Sequence, residues 1–194
     1  VLPHNDPGNQ VLTAYGLMEF SDMKRVFPVE PELIERTQRF LVSRQQSDGS
    51  WDVDTQMIRD GLFRSEHRGR VTVTAYLTWA LTESGLTSEA VERAQQFLVE
   101  NLDGADDPYT LALTAAGFAK TRHPELGRTA AMLAKRAKQV DGLVFFSPTG
   151  ATAYYGRGAA ADVETTALAA YALAKAGREP ALVKGALDFL LARR

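Results

Sequence analysis

Val163-Glu164-Thr165-Thr166-Ala167-Leu168-Ala169-Ala170-Tyr171-Ala172-Leu173-Ala174 is the stretch on which the fold turns. Between Thr165 and Ala174 the only ionisable side chain is Tyr171. An Ala- and Leu-rich run of this length reads as helix, and a helix apolar on every face is buried on every face. The same type of segment recurs upstream as Val11-Leu12-Thr13-Ala14-Tyr15-Gly16-Leu17, Val73-Thr74-Ala75-Tyr76-Leu77 and Tyr109-Thr110-Leu111-Ala112-Leu113. A chain that repeats one segment type at intervals is built from repeated structural units.

A second type alternates with the first: Arg36-Thr37-Gln38-Arg39-Phe40-Leu41, Arg93-Ala94-Gln95-Gln96-Phe97-Leu98 and Gly185-Ala186-Leu187-Asp188-Phe189-Leu190. Around the first of these, Leu33, Ile34, Thr37, Phe40 and Leu41 take one stripe, and Glu32, Glu35, Arg36 and Arg39 mostly the other. That is the pattern of a helix with one face in water. The two types predict helices over 9–24, 31–46, 70–85, 88–102, 107–122, 125–139, 162–177 and 179–193.

Boundary residues agree. Pro31, Pro108, Pro124 and Pro180 fall where a first helical turn begins, a place at which the missing N–H costs nothing. Gly85 and Gly177 mark helix ends, and Asp107 and Thr87 stand as N-caps. Buried helix, turn and half-exposed helix, repeated four times, predict an all-α fold whose inner helices line a common centre: an α/α toroid or an α-solenoid. β-Structure finds little support, since Val-Ile-Thr alternation is confined to Val71–Thr74.

Composition bounds the function. A chain of 194 residues, 45% apolar, buries a sizeable core and reads as one domain over 1–194. Its net charge of −2, from 22 basic and 24 acidic side chains, offers no cationic surface and excludes nucleic acid as a partner. No apolar run is long enough to span a bilayer. Without cysteine there is no disulfide, no thiolate nucleophile and no Cys-type zinc site. His4, His67 and His123 are scattered, none at metal spacing, so neither metal nor cofactor is expected. A start at Val1 marks the expected object as a processed chain or a piece of a larger protein.

Two connections are too long for turns, and long loops on a rigid frame are where contacts concentrate. The first, about 47–69, carries Arg59 and His67; the second, about 140–161, carries Tyr154, Tyr155 and Arg157. Tyr and Arg are the residues that anchor interfaces. Against that, the tyrosines would equally cover the open end of a toroid, and His67 reads most simply as a solvated loop histidine.

Leu12-Thr13-Ala14-Tyr15, Phe40-Leu41 leading to Gln45-Gln46-Ser47-Asp48-Gly49-Ser50-Trp51, Thr74-Ala75-Tyr76-Leu77, Tyr109-Thr110-Leu111-Ala112 and Asp162-Val163-Glu164-Thr165-Thr166 follow one another in a particular order. In that order they resemble the successive signatures of the α2-macroglobulin/complement thioester domain, from about Val11 to Arg194. The resemblance implies a toroid of six hairpins, of which this chain would be the C-terminal two-thirds. It implies a non-catalytic part of a large secreted, periplasmic or cell-surface protein that captures proteases or tags surfaces, with proteases or other proteins as partners. The family's thioester comes from a Cys-Gly-Glu-Gln-type segment that these residues lack, and the family's reactivity-tuning position falls near Arg59.

Gln45, Gly49 and Trp51 also fit the Gln-x-x-x-Gly-x-Trp motif of triterpene cyclases, where it is structural. A toroid enzyme of that kind, binding an isoprenoid, is therefore the alternative, and a helical-repeat scaffold without chemistry a third reading. An isoprenoid site needs aromatics and carboxylates facing inward, whereas Ala14, Ala75, Ala112, Ala167 and Ala169 predict inner helices packed close together. An incomplete ring would expose apolar edges at Gln10–Phe20 and Leu182–Leu191, which predicts self-association.

Overall fold

The computed structural model describes residues 9–54, 65–153 and 155–193. Among them are eight α-helices: α1 (Gln10–Met23), α2 (Pro31–Ser43), α3 (Glu66–Glu83), α4 (Glu89–Glu100), α5 (Pro108–Thr121), α6 (Leu126–Ala134), α7 (Gly158–Lys175) and α8 (Pro180–Leu191). A two-stranded hairpin, β1 (Lys138–Val140) and β2 (Leu143–Phe145), lies between α6 and α7.

The odd-numbered helices pack in series, α1 on α3, α3 on α5 and α5 on α7, and each carries the next even-numbered helix on its outer side. This is the arc of an α/α toroid. Like ends of the inner helices meet: Thr72 and Thr110, at the starts of α3 and α5, share a hydrogen bond of 2.7 Å between hydroxyls. At the other ends the Tyr171 hydroxyl of α7 donates to the Glu83 carboxylate of α3 at 2.6 Å, so the arc curves until α3 and α7 touch across it.

Burial follows the two segment types. Along α3 every residue from Val71 to Thr78 is buried, and along α5 every residue from Pro108 to Phe118. Their small residues let the backbones approach: a Cβ on Gly117 would sit 3.4 Å from the Trp79 amide nitrogen. The outer helices α2 and α4 keep apolar residues to one side, with Ile34 and Leu41 or Ala94, Phe97 and Leu98 buried.

Position in the arc corrects the expectation that all four inner helices are buried all round. α1 has an inner neighbour on one side only, so only Val11, Ala14 and Leu17 are buried while Leu12 stays 62% exposed. Met23, Val26 and Phe27 continue this apolar edge, and Leu187 and Leu191 lie exposed on α8 at the far end.

Boundaries mostly follow the local chemistry. Pro31, Pro108 and Pro180 open helices, and Gly85 and Gly177 close them at φ +84 and +63. Pro124 instead precedes α6, which starts at Leu126, and the N-cap of α4 is Ser88 rather than Thr87. The hairpin is the larger departure from the expected helix over 125–139. Asp141 and Gly142 both take positive φ, +52 and +80, which is what a tight two-residue β-turn requires and what Asp-Gly supplies. The β2 strand then packs on α8, Phe145 stacking on Phe189 with centroids 5.3 Å apart.

Candidate functional site

The start of each inner helix lies at one rim of the arc, and both long connections reach it. The first leaves α2 through Gln45, whose Nε2 donates to the Gly49 carbonyl at 3.0 Å and to the Ala90 carbonyl of α4 at 2.7 Å. Gly49 turns at φ +86, where a Cβ would lie 2.6 Å from the Arg93 carbonyl carbon. Trp51 is fully buried; its indole N–H donates to the Leu41 carbonyl at 2.7 Å and its amide to the Thr74 hydroxyl of α3 at 3.0 Å. Arg70 clasps the same turn, reaching Asp48 at 2.8 Å and the Ser50 hydroxyl. The Gln45, Gly49 and Trp51 motif thus seats the loop between α2, α3 and α4.

The second connection is held in a parallel way. The Phe146 amide donates to the Thr166 hydroxyl of α7 at 3.0 Å, and Phe146 is fully buried. Further on, Thr149 donates its amide to Asp107, the N-cap of α5, at 2.7 Å. Thr152 donates its hydroxyl to Glu164 at 2.5 Å, and the Gly156 amide closes back on Thr152 at 3.0 Å. A Cβ on Gly156 would meet the Thr152 hydroxyl at 2.8 Å and the Glu164 carboxylate at 2.9 Å, so a larger residue would push these two side chains aside.

Where the connections meet, a cleft of about 270 Å³ opens between His67, Arg68 and Thr72 of α3, Asp106 and Asp107 before α5, and Thr149 to Ala151. Arg68 and Asp106 form an ion pair at 2.7 Å across its wall. His67 belongs to the first turn of α3, not to a loop, because Ser65 caps the helix through the Arg68 amide. The extra turn was legible in Ser65-Glu66, a capping residue followed by an acid in the first turn. Tyr155 is exposed at φ +62, and Arg157 stands at the N-cap of α7. Neither lines the cleft with His67. Arg59 and Tyr154 lie outside the described residues.

The concave side of the arc holds a larger hollow of about 540 Å³, lined by all four inner helices. Its wall includes Tyr15, Tyr76, Trp79, Tyr109 and Tyr171, together with Glu19, Asp22, Glu83 and Glu164. Close packing through Ala14, Ala75, Ala112 and Ala169 does occur, all four having no exposed surface. Ala167 instead faces the hollow, and the aromatics and carboxylates expected to be missing are present. Reading α3 as uniformly apolar hid them: Tyr76, Trp79 and Glu83 recur at helical spacing and share one face.

Burial acts to raise the pKa of Glu83, but the hydrogen bond from Tyr171 and the charge of Lys120, 3.4 Å away, outweigh it and hold the carboxyl below its usual range. Burial, with the Glu83 bond, pushes the Tyr171 hydroxyl far up. Tyr109 is likewise raised by burial and by the neighbouring Glu164. Among the described residues no three His, Asp or Glu side chains converge as metal ligands would, and no helix is long and apolar enough to cross a membrane.

No match to a curated protein was found. The model of the A-macroglobulin TED domain matches residues 3–189, a span that takes in both long connections, all four inner helices and most of α8. The chain therefore belongs to the A-macroglobulin TED domain family.

Proposed function

We propose that this chain is a non-catalytic section of a secreted, periplasmic or cell-surface protein that captures proteases, and that it forms the C-terminal two-thirds of a six-hairpin ring. The observation that carries the reading is the family match over residues 3–189 in a chain without cysteine. These residues cannot themselves form a thioester, so any covalent step belongs to other parts of the whole protein. What they supply is a rigid arc presenting the two long connections at one rim, with Arg59, His67, Tyr154, Tyr155 and Arg157 as candidate contacts.

The test uses the whole protein that contains this chain, incubated with an endopeptidase and then separated under native and denaturing conditions. Capture in both, with one thiol per chain released by methylamine, supports covalent trapping with the rim as its surface. Capture in the native separation alone supports a thioester-free member acting by contact. A protein that retains no protease under either condition sinks the proposal.

The aromatic hollow favours a second reading, an isoprenoid-binding toroid enzyme. Its chemistry argues the other way. A cyclase needs a carboxylic acid that is protonated and ready to donate. Glu83 is held ionised by Tyr171 and Lys120, and Glu164 accepts a hydrogen bond from Thr152. Glu83, the carboxylate beside the rings, is therefore not poised to give up a proton.

A further inference from the structure

The hollow is independent of the rim and of any protease. Trp79 lines it, with Tyr76 at 78° to it and centroids 6.1 Å apart, and Tyr171 at 52° and 5.9 Å. Tyr15 of α1 forms a further wall, and Met18 and Leu168 extend the surface beyond the rings. Tyr76 is buried behind Trp79, so Trp79, Tyr171 and Tyr15 are the rings that offer surface to the hollow, and aromatic ring faces attract a cation poorly held by water. At about 540 Å³ the hollow also falls in the size range of small-molecule sites.

Charge sets the sign of the occupant. The carboxylates of Glu19, Asp22, Glu83 and Glu164 line the hollow against the cations of Arg25, Lys120 and Lys175, with Arg25 paired to Asp22 at 3.4 Å, so the lining is acidic by one charge. The chain already places an alkylammonium of its own here: Lys175 Nζ lies 5.4 Å from the centroid of the Tyr171 ring. That side chain is long, exposed and free of any cost of leaving a buried place. Lys120, the cation paired with Glu83, is likewise partly in solvent.

We propose that the hollow is a binding site for an organic cation of the quaternary-ammonium class, boxed by Tyr15, Trp79 and Tyr171, with Glu83 as counter-ion and Lys175 as the group it displaces. A methylated ammonium suits the site better than a bare one. It spreads its charge over methyl groups that pack against ring faces, and it loses less hydration on entry. The apolar surface of Met18 and Leu168 takes whatever chain the head carries.

The chain contains two tryptophans, and Trp51 is fully buried away from the hollow, so fluorescence changes on titration report Trp79. The purified chain is titrated with choline and, separately, with 3,3-dimethyl-1-butanol, its neutral isostere. Choline should alter the emission saturably at millimolar concentration or below, and the isostere should need at least about tenfold more. Trp79→Phe should remove the signal. Lys175→Met, a change at an exposed position that leaves folding intact, should tighten choline binding about threefold by vacating the Tyr171 face. Glu83→Gln should weaken it about tenfold without affecting the isostere.

Equal responses to choline and its isostere, no response to either, or an unchanged midpoint in Lys175→Met overturns the proposal. Vesicles of phosphatidylcholine separate the two sources of such a head. Co-sedimentation that Trp79→Ala abolishes assigns the site to a lipid headgroup, and saturation by free choline without co-sedimentation assigns it to a soluble cation.

Discussion

Asp48-Gly49 and Asp141-Gly142 are the same dipeptide, follow outer helices in the same way and put their glycines at nearly the same φ, +86 and +80. Each is followed by a buried aromatic, Trp51 or Phe146, whose amide donates to a threonine hydroxyl of the next inner helix at 3.0 Å. Yet the first turn is jammed against the carbonyl of Arg93, while nothing lies within 4 Å of a Cβ built on the second. The first is stitched to three helices through Gln45, Trp51 and Arg70; the second forms a small hairpin with its turn in solvent. One dipeptide thus serves as a clamp in one place and a simple reversal in the other, with Asp141 in the left-handed region that Asp48 does not enter. The difference lies in the backbone of the aspartate and in what the turn touches.

Alanine at each glycine breaks the comparison most sharply. At Gly142 an alanine meets only the left-handed backbone penalty, about 1 kcal/mol. At Gly49 the same penalty adds to overlap with backbone that cannot move without shifting α4, for a total of about 4 kcal/mol. Urea unfolding of the two variants reads this directly, and equal losses would mean that the Gly49 turn is free to relax.

The paired threonines test what the turns have in common. Thr74→Val and Thr166→Val keep shape but leave a buried amide without an acceptor, which costs about 2 kcal/mol in each case. Serine in either place should restore most of that. A loss confined to Thr74→Val would show that the second amide finds water and that the likeness of the two anchors is geometric only.

How much of this could be read from residues alone divides along the same line. The alternation of helix types, the proline starts and the Gly85 and Gly177 stops are local properties, and they placed the eight helices and their inner and outer roles. The Gln45, Gly49 and Trp51 motif pointed to a structural junction, but not to Ala90 and Arg93, which lie across the fold. Asp141-Gly142 is a strong hairpin signal between Val140 and Leu143, passed over because the preceding helix was read as running to residue 139. Most of the hollow was invisible for a different reason. Whether Trp79 and Tyr171 face neighbours or a cavity depends on how sharply the inner helices curve, and no sequence period encodes that.

Acid offers the finest test of the clamp at Asp48-Gly49. Asp48 accepts from the Ser50 hydroxyl at 2.7 Å and from Arg70 at 2.8 Å. The Ser50 bond foremost, with the Arg70 charge, holds its pKa below the ordinary 3.8 despite some burial. A carboxyl depressed on folding binds fewer protons than in the unfolded chain, so its contribution is complete above about pH 4 and lost as pH falls through the folded value. Asp48 is close to solvent, and the effect is therefore small, a few tenths of a kcal/mol. Stability of Asp48→Asn measured against pH should fall less steeply between pH 4 and pH 3 than that of the parent chain. Should Asp48→Asn follow the parent curve, the clamp at Asp48-Gly49 would have no electrostatic part and would hold by shape and the Gly49 contact alone.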